Sequence, residues 1–94
     1  MTEEIIKRLE DLGFKRWEKN GLDRLYINAK DIGLECDYYK TGNVHYATFR
    51  GEHISNTRAR EMLCSKTFVD VKTGKVHSDN NTMRETVTEI LENI

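Results

Sequence analysis

The sequence predicts an α+β domain: a small antiparallel sheet of two or three β-hairpins, packed on one face by two or three helices, in the order α-β-β-β-β-α-β-α. Three observations carry this. Asn20-Gly21 lies between two alternating runs and is the strongest short hairpin signal, because a type I′ turn needs positive φ at both central residues. Met83, Val87, Ile90, Leu91 and Ile94 recur at helical spacing, which marks one apolar stripe facing a core. The chain has 94 residues, enough for one modest core and for a single domain over 1–94.

The first helix is expected near residues 3–12. Thr2 can cap it, and Glu3 and Glu4 sit in its first turn, where the helix dipole favours negative charge. Ile5, Ile6, Leu9 and Leu12 form its apolar side, and Gly13 followed by Phe14 reads as a left-handed stop with its hydrophobic contact. The Asn20-Gly21 turn then joins strands over 14–19 and 22–28, and Ala29–Gly33 is a short connector. Thr41-Gly42 is read as a second two-residue turn, between strands over 34–40 and 43–50. Gly51-Glu52 is a third tight turn, with His53-Ile54 returning.

Ser55 caps a short helix near 56–64, with Ala59, Met62 and Leu63 as its apolar positions. A strand over 67–71 follows, anchored by Phe68 and Val71, and turns at Lys72-Thr73-Gly74-Lys75 toward a return over 76–78. Asp79-Asn80-Asn81 is a polar loop. Thr82-Met83-Arg84-Glu85 has the capping-box pattern and opens a last helix over 82–93.

Charged residues make up 33% of the chain, yet the formal net charge is only −1. That argues against strong non-specific binding to duplex nucleic acid, which rests on a broadly basic surface. No apolar run exceeds three residues, so neither a membrane span nor a secretory apolar region is expected. Two cysteines, Cys36 and Cys64, are too few for a disulfide framework and read as reduced thiols of a cytoplasmic protein. His45, His53 and His77 show no metal-ligand spacing, and His45 has no nucleophile or carboxylate placed beside it. Asp70 and Asp79 read as surface or capping residues, Glu18 and Asp23 as a solvated pair at a hairpin tip, and Arg58 and Arg60 as a solvated helix face. No catalytic residue, metal or cofactor is indicated.

Tight turns determine which side chains share a face. The first turn pairs Lys19 with Leu22, Trp17 with Arg24 and Lys15 with Tyr26, and leaves Phe14, Leu25 and Ile27 on the other side. A two-residue second turn pairs Tyr39 with Val44, Asp37 with Tyr46 and Glu35 with Thr48, with Arg50 on the same face. Its other face carries Leu34, Cys36, Ala47 and Phe49, with Tyr38 and His45 nearer the turn. Joined into one sheet, the hairpins would present Trp17, Arg24, Tyr26, Tyr39, Tyr46 and Arg50 together, opposite an aliphatic face covered by helices. Such a surface marks a binding site, since Trp, Tyr and Arg concentrate at interface centres. The reading is a non-enzymatic binding module for a protein partner or a second copy in a homodimer. The alternative is a nucleotide or single-stranded nucleic acid held by stacking on the same residues, against which Glu35 and Asp37 on that face would act.

The α-β-β-β…α opening resembles, in topology, the double-stranded-RNA-binding fold. The stretch Ser55-Asn56-Thr57-Arg58-Ala59-Arg60 lacks the lysine run with which that fold's RNA-contacting helix opens, so no residue role follows from the resemblance. Size, high charge and the lack of a catalytic motif are also typical of small phage or mobile-element proteins.

Overall fold

A computed structural model describes residues 1–94 and shows the α+β fold in the expected order. Helix α1 (Glu3–Asp11) leads into the hairpin β1 (Lys15–Lys19) and β2 (Leu22–Tyr26), then a single 3-10 turn over Ala29–Ile32. Strands β3 (Leu34–Tyr38), β4 (Val44–Phe49) and β5 (Glu52–Ile54) form a meander, followed by α2 (Asn56–Leu63). Strands β6 (Thr67–Asp70) and β7 (Val76–Ser78) precede α3 (Asn81–Glu92).

The strands do not join into one sheet. They form a four-stranded antiparallel sheet in the order β1-β2-β6-β7 and a three-stranded one in the order β3-β4-β5. Strand β2 takes β6 as its second neighbour, with Leu25 opposite Val69 and Tyr26 opposite Phe68. The reason is apolar matching. Leu25 and Val69 are both fully buried and continue one inner row, whereas the β3–β4 hairpin puts Leu34, Val44 and Ala47 into the same core from its own sheet. All three helices bury their apolar stripes in this common core, with Ile6 and Leu9 from α1, Ala59 and Met62 from α2, and Met83 and Val87 from α3.

Local chemistry accounts for the element ends. Thr2 accepts from the Ile5 amide at 3.2 Å, and Ser55 accepts from the Arg58 amide at 3.1 Å, so both expected N-caps are in place. The end of α1 is a Schellman motif, in which the Phe14 amide donates to Leu9 O and the Gly13 amide to Glu10 O. Helix α3 differs from expectation. Its cap is Asn80, whose side chain accepts from the Met83 amide at 3.0 Å. Thr82 instead accepts a hydrogen bond from Arg58 Nη2 at 2.8 Å, which ties α2 to α3. Strand β6 also differs: its buried residues are Thr67 and Val69, with Val71 just beyond, and Phe68 points the other way.

The first hairpin has the expected register throughout, from Lys19 opposite Leu22 to Lys15 opposite Tyr26. Asn20 and Gly21 hold φ values of 55° and 80°, the type I′ signature. The second hairpin departs. The Gly42 amide donates to Tyr39 O and the Tyr39 amide to Asn43 O, so the loop is three residues, with Gly42 at φ 90°. The register shifts between Asp37 and Tyr38, which faces Val44. This bulge turns Val44 inward, where it is buried, and leaves both His45 and Tyr46 outside.

On the inner side of the first hairpin, Arg16 forms a two-pronged bond with Asp23, at 3.0 and 2.9 Å, and also reaches Glu18 at 3.2 Å and Glu3 at 3.3 Å. Glu18 and Asp23 are therefore not a free carboxylate pair; an arginine lies between them. The Arg16 fork holds the Asp23 carboxyl below its usual value near 3.8, against the opposing effect of desolvation.

Two outcomes are expected. Gly21→Val should lower the denaturant midpoint by more than about 1 kcal/mol of stability, because a β-branched residue is strained at positive φ. No atom lies within 4 Å of the added Cβ position, so the loss would report backbone conformation alone, and an unchanged midpoint would contradict the turn type. The second concerns pH. A carboxyl whose folded pKa is depressed stabilises the fold above its unfolded pKa and ceases to do so as pH falls through the folded value. The stability gap between the natural protein and Asp23→Asn, measured by urea melts, should be full near neutrality and close below the ordinary aspartate range. A gap that persists unchanged in acid would mean that the Arg16 fork is not its source.

Candidate binding face

Strand alternation sends the side chains opposite Leu25 and Val69 to the outer face of the four-stranded sheet. Three of the six expected site residues meet there: Trp17 from β1, and Arg24 and Tyr26 from β2. Phe68 from β6 and His77 from β7 complete the surface, since Tyr26 faces Phe68 and Phe68 faces His77. The rings form one connected row. Trp17 meets Tyr26 edge-on at 6.5 Å and 88°, Tyr26 lies 5.4 Å from Phe68, and Phe68 stacks on His77 at 4.8 Å and 14°. The Arg24 guanidinium lies 4.3 Å from the centre of the Phe68 ring, within cation–π range. Phe68 thus lies against Tyr26, Arg24 and His77 together.

Arg24 is poor in partners. Its Nη1 donates to the Tyr26 hydroxyl at 3.5 Å, its buried Nε has no acceptor, and no carboxylate forms an ion pair with it. Asp70 lies opposite Arg24 in the register, but its Oδ1 accepts from the Lys72 and Thr73 amides at 2.9 and 3.0 Å. Those bonds, the Thr73 one foremost, hold the Asp70 carboxyl below its usual value while desolvation opposes them. Asp70 is the turn-capping residue the sequence suggests. Trp17, on the edge strand, is 40% exposed.

Compared with known proteins, the chain matches no family model, no curated protein and no solved structure.

The other three expected residues lie elsewhere. Tyr46 is on the outer face of the three-stranded sheet, 46% exposed, with its ring 4.9 Å from His53. Glu35 and Asp37 share that face, opposite Thr48 and Tyr46. Tyr39 sits past the end of β3, 54% exposed, against His45 at 4.6 Å. Arg50 is not on a strand face at all. It occupies a turn with φ 51°, where its amide donates to Gly33 O at 2.9 Å, its Nε donates to Ile32 O at 3.3 Å and its Nη1 lies 3.7 Å from Glu89. Those bonds make it a tie between the 3-10 turn, β4 and α3. The one continuous face of six residues does not form, because the hairpins that would share it belong to different sheets.

Phe68 and His77 are the members that sequence reasoning missed. Alternation within 67–71 is equally compatible with either face, and no turn linked this strand to the first hairpin. The signal lay in Thr67, Val69 and Val71, whose shared spacing outweighs the single aromatic.

Trp17→Ala should cost about 1 kcal/mol of folding stability or less, the scale of a cross-strand pair on an open face. Phe68→Ala, which removes the shared neighbour of three side chains, should cost clearly more, on the order of 2–3 kcal/mol. Denaturant melts of the two variants rank them, and the reverse order would mean that Trp17, not Phe68, organises the row.

Proposed function

We propose that the chain is a non-enzymatic binding module whose working surface is the outer face of the four-stranded sheet, and that it engages a separate, negatively charged partner there. One observation carries the reading: a row of aromatic rings and an arginine without an ion-pair partner lies on the side of these strands away from the core, with Trp17 exposed and Arg24, Tyr26, Phe68 and His77 half-buried. Aromatic and arginine side chains left uncovered together mark interaction surfaces.

Charge favours an anionic partner. Lys15, Lys19 and Arg24 stand on this face, and the exposed Lys66 and Lys75 border it next to Phe68 and His77. Two acidic groups oppose them there: Asp70 on β6, and Asp79, which accepts from the Lys66 amide at 2.9 Å. A symmetric dimer through this face would set the positive surface against itself. A head-to-tail association has its own support, because the outer face of the three-stranded sheet offers Glu35 and Asp37 beside Tyr46. That contact pairs unlike faces and would run on into chains of copies.

A catalytic role has little support in the side-chain geometry, since His45 and His53 each lie against a tyrosine ring. Two free thiols, with Cys36 half-buried and Cys64 exposed, suit a reducing compartment such as the cytoplasm. No helix is long and apolar enough to cross a membrane.

Trp17 is the sole tryptophan, so its emission reports on this face. Heparin or poly-glutamate at low salt should change that emission, the effect should fade as salt rises, and Lys15→Glu with Lys75→Glu should abolish it while Tyr46→Ala leaves it intact. Silence toward every polyanion would remove the proposal. Growth of mass with concentration in sedimentation, reversed by Glu35→Lys, would select the head-to-tail reading instead.

A further inference from the structure

We infer that the anionic partner of this face is a single strand of nucleic acid, an inference that rests on the binding face proposed above. The surface offers both things such a strand requires: cations for its phosphates and an exposed aromatic ring, Trp17, for an unpaired base. Lys15 and Lys19 lie on the β1 edge, Lys66 and Lys75 beside β6 and β7, so positive charge flanks the rings on both sides. Half of the chain's eight lysines are thus gathered around this face, although the whole chain carries a net charge of −1. Glu35 and Asp37, which would repel phosphate, are on the other sheet.

Arg24 supplies the specific contact. Its guanidinium is held over Phe68 at 4.3 Å, has no carboxylate partner and bonds only the Tyr26 hydroxyl, through Nη1, so Nη2 is left to meet a phosphate or a base edge. Phe68 is not itself a stacking platform, because Arg24 lies over its ring and His77 stacks on it. Its part is to hold those two side chains. Stacking falls to Trp17, which is exposed on the edge strand and braced edge-on by Tyr26. A duplex would keep its bases stacked on one another and leave Trp17 unused. An acidic peptide would meet the lysines but has no base to stack on it.

Titration of the intact protein with an oligothymidylate of about 12 nucleotides, followed by Trp17 quenching, tests this. Binding with quenching is expected, weakened roughly tenfold or more between about 50 and about 200 mM salt, as three or so phosphate contacts imply. With a labelled oligonucleotide read by anisotropy, Trp17→Ala should lower affinity about tenfold or more, as should Lys15→Glu with Lys75→Glu. Both changes are at exposed positions, and circular dichroism would verify that each variant folds. Equal affinity for duplex DNA of the same length would overturn the single-strand inference. Heparin or poly-glutamate bound while the oligonucleotide is not would overturn it and leave the binding face standing. No binding of any polyanion would remove both. Oligonucleotide binding that ignores these substitutions and is lost with Tyr46→Ala would place the strand on the other sheet and overturn the inference.

Discussion

The arrangement of the molecule depends on one constraint: Leu25 and Val69 lie side by side in adjacent strands and must both be out of water. Side chains alternate along a strand, so burying this pair commits every neighbour on β2 and β6 to a side. Arg24, Tyr26 and Phe68 have no route inward. The type I′ turn at Asn20-Gly21 extends the commitment to β1 and places Trp17 with them. The β6–β7 ladder extends it to His77. The outer row is thus a consequence of core packing as much as a feature in its own right.

Two arginines on this sheet show how strongly the side of a strand decides chemistry. Arg16 turns toward α1 and the hairpin tip, where Asp23, Glu18 and Glu3 surround it and spend its charge within the fold. Arg24 belongs to the next strand and the opposite face, and it finds aromatic rings in place of carboxylates. A guanidinium resting on a ring keeps its charge available while losing much of its conformational freedom. Less entropy is then lost when it engages an anion, which is the physical meaning of a preorganised site.

Short-range features were legible in the sequence because their causes are short-range. The Thr2 and Ser55 caps, the Schellman end of α1 at Gly13-Phe14, the register of the first hairpin and the Met83–Val87 stripe each follow from residues a few positions apart. Three features were not legible, each for its own reason. Asn80 and Thr82 are both competent helix caps, and Thr82 was drawn off by Arg58 from another helix. The Thr41-Gly42 pair fits either a two-residue turn or the end of a three-residue loop, and burial of Val44 decided for the latter. Strand β2 chose β6 as a neighbour from across more than a third of the chain, a choice that rests on packing and leaves no local mark. Half of the expected binding residues therefore share a face, and the half that do not were separated by that one long-range pairing.

The seam between β2 and β6 has a consequence for how the chain tolerates change. The Ile27 amide donates to Thr67 O at 3.3 Å, so the chain leaves the four-stranded sheet and re-enters it at the same point. Everything from the 3-10 turn through α2 is, in effect, an insert with adjoining ends. Loop-closure entropy grows only with the logarithm of length, so residues gained or lost within such an insert cost the seam little. Surface loops of the three-stranded sheet are thereby free to lengthen, shorten or diverge between descendants of this chain, while the aromatic row, borne on strands outside the insert, keeps its geometry.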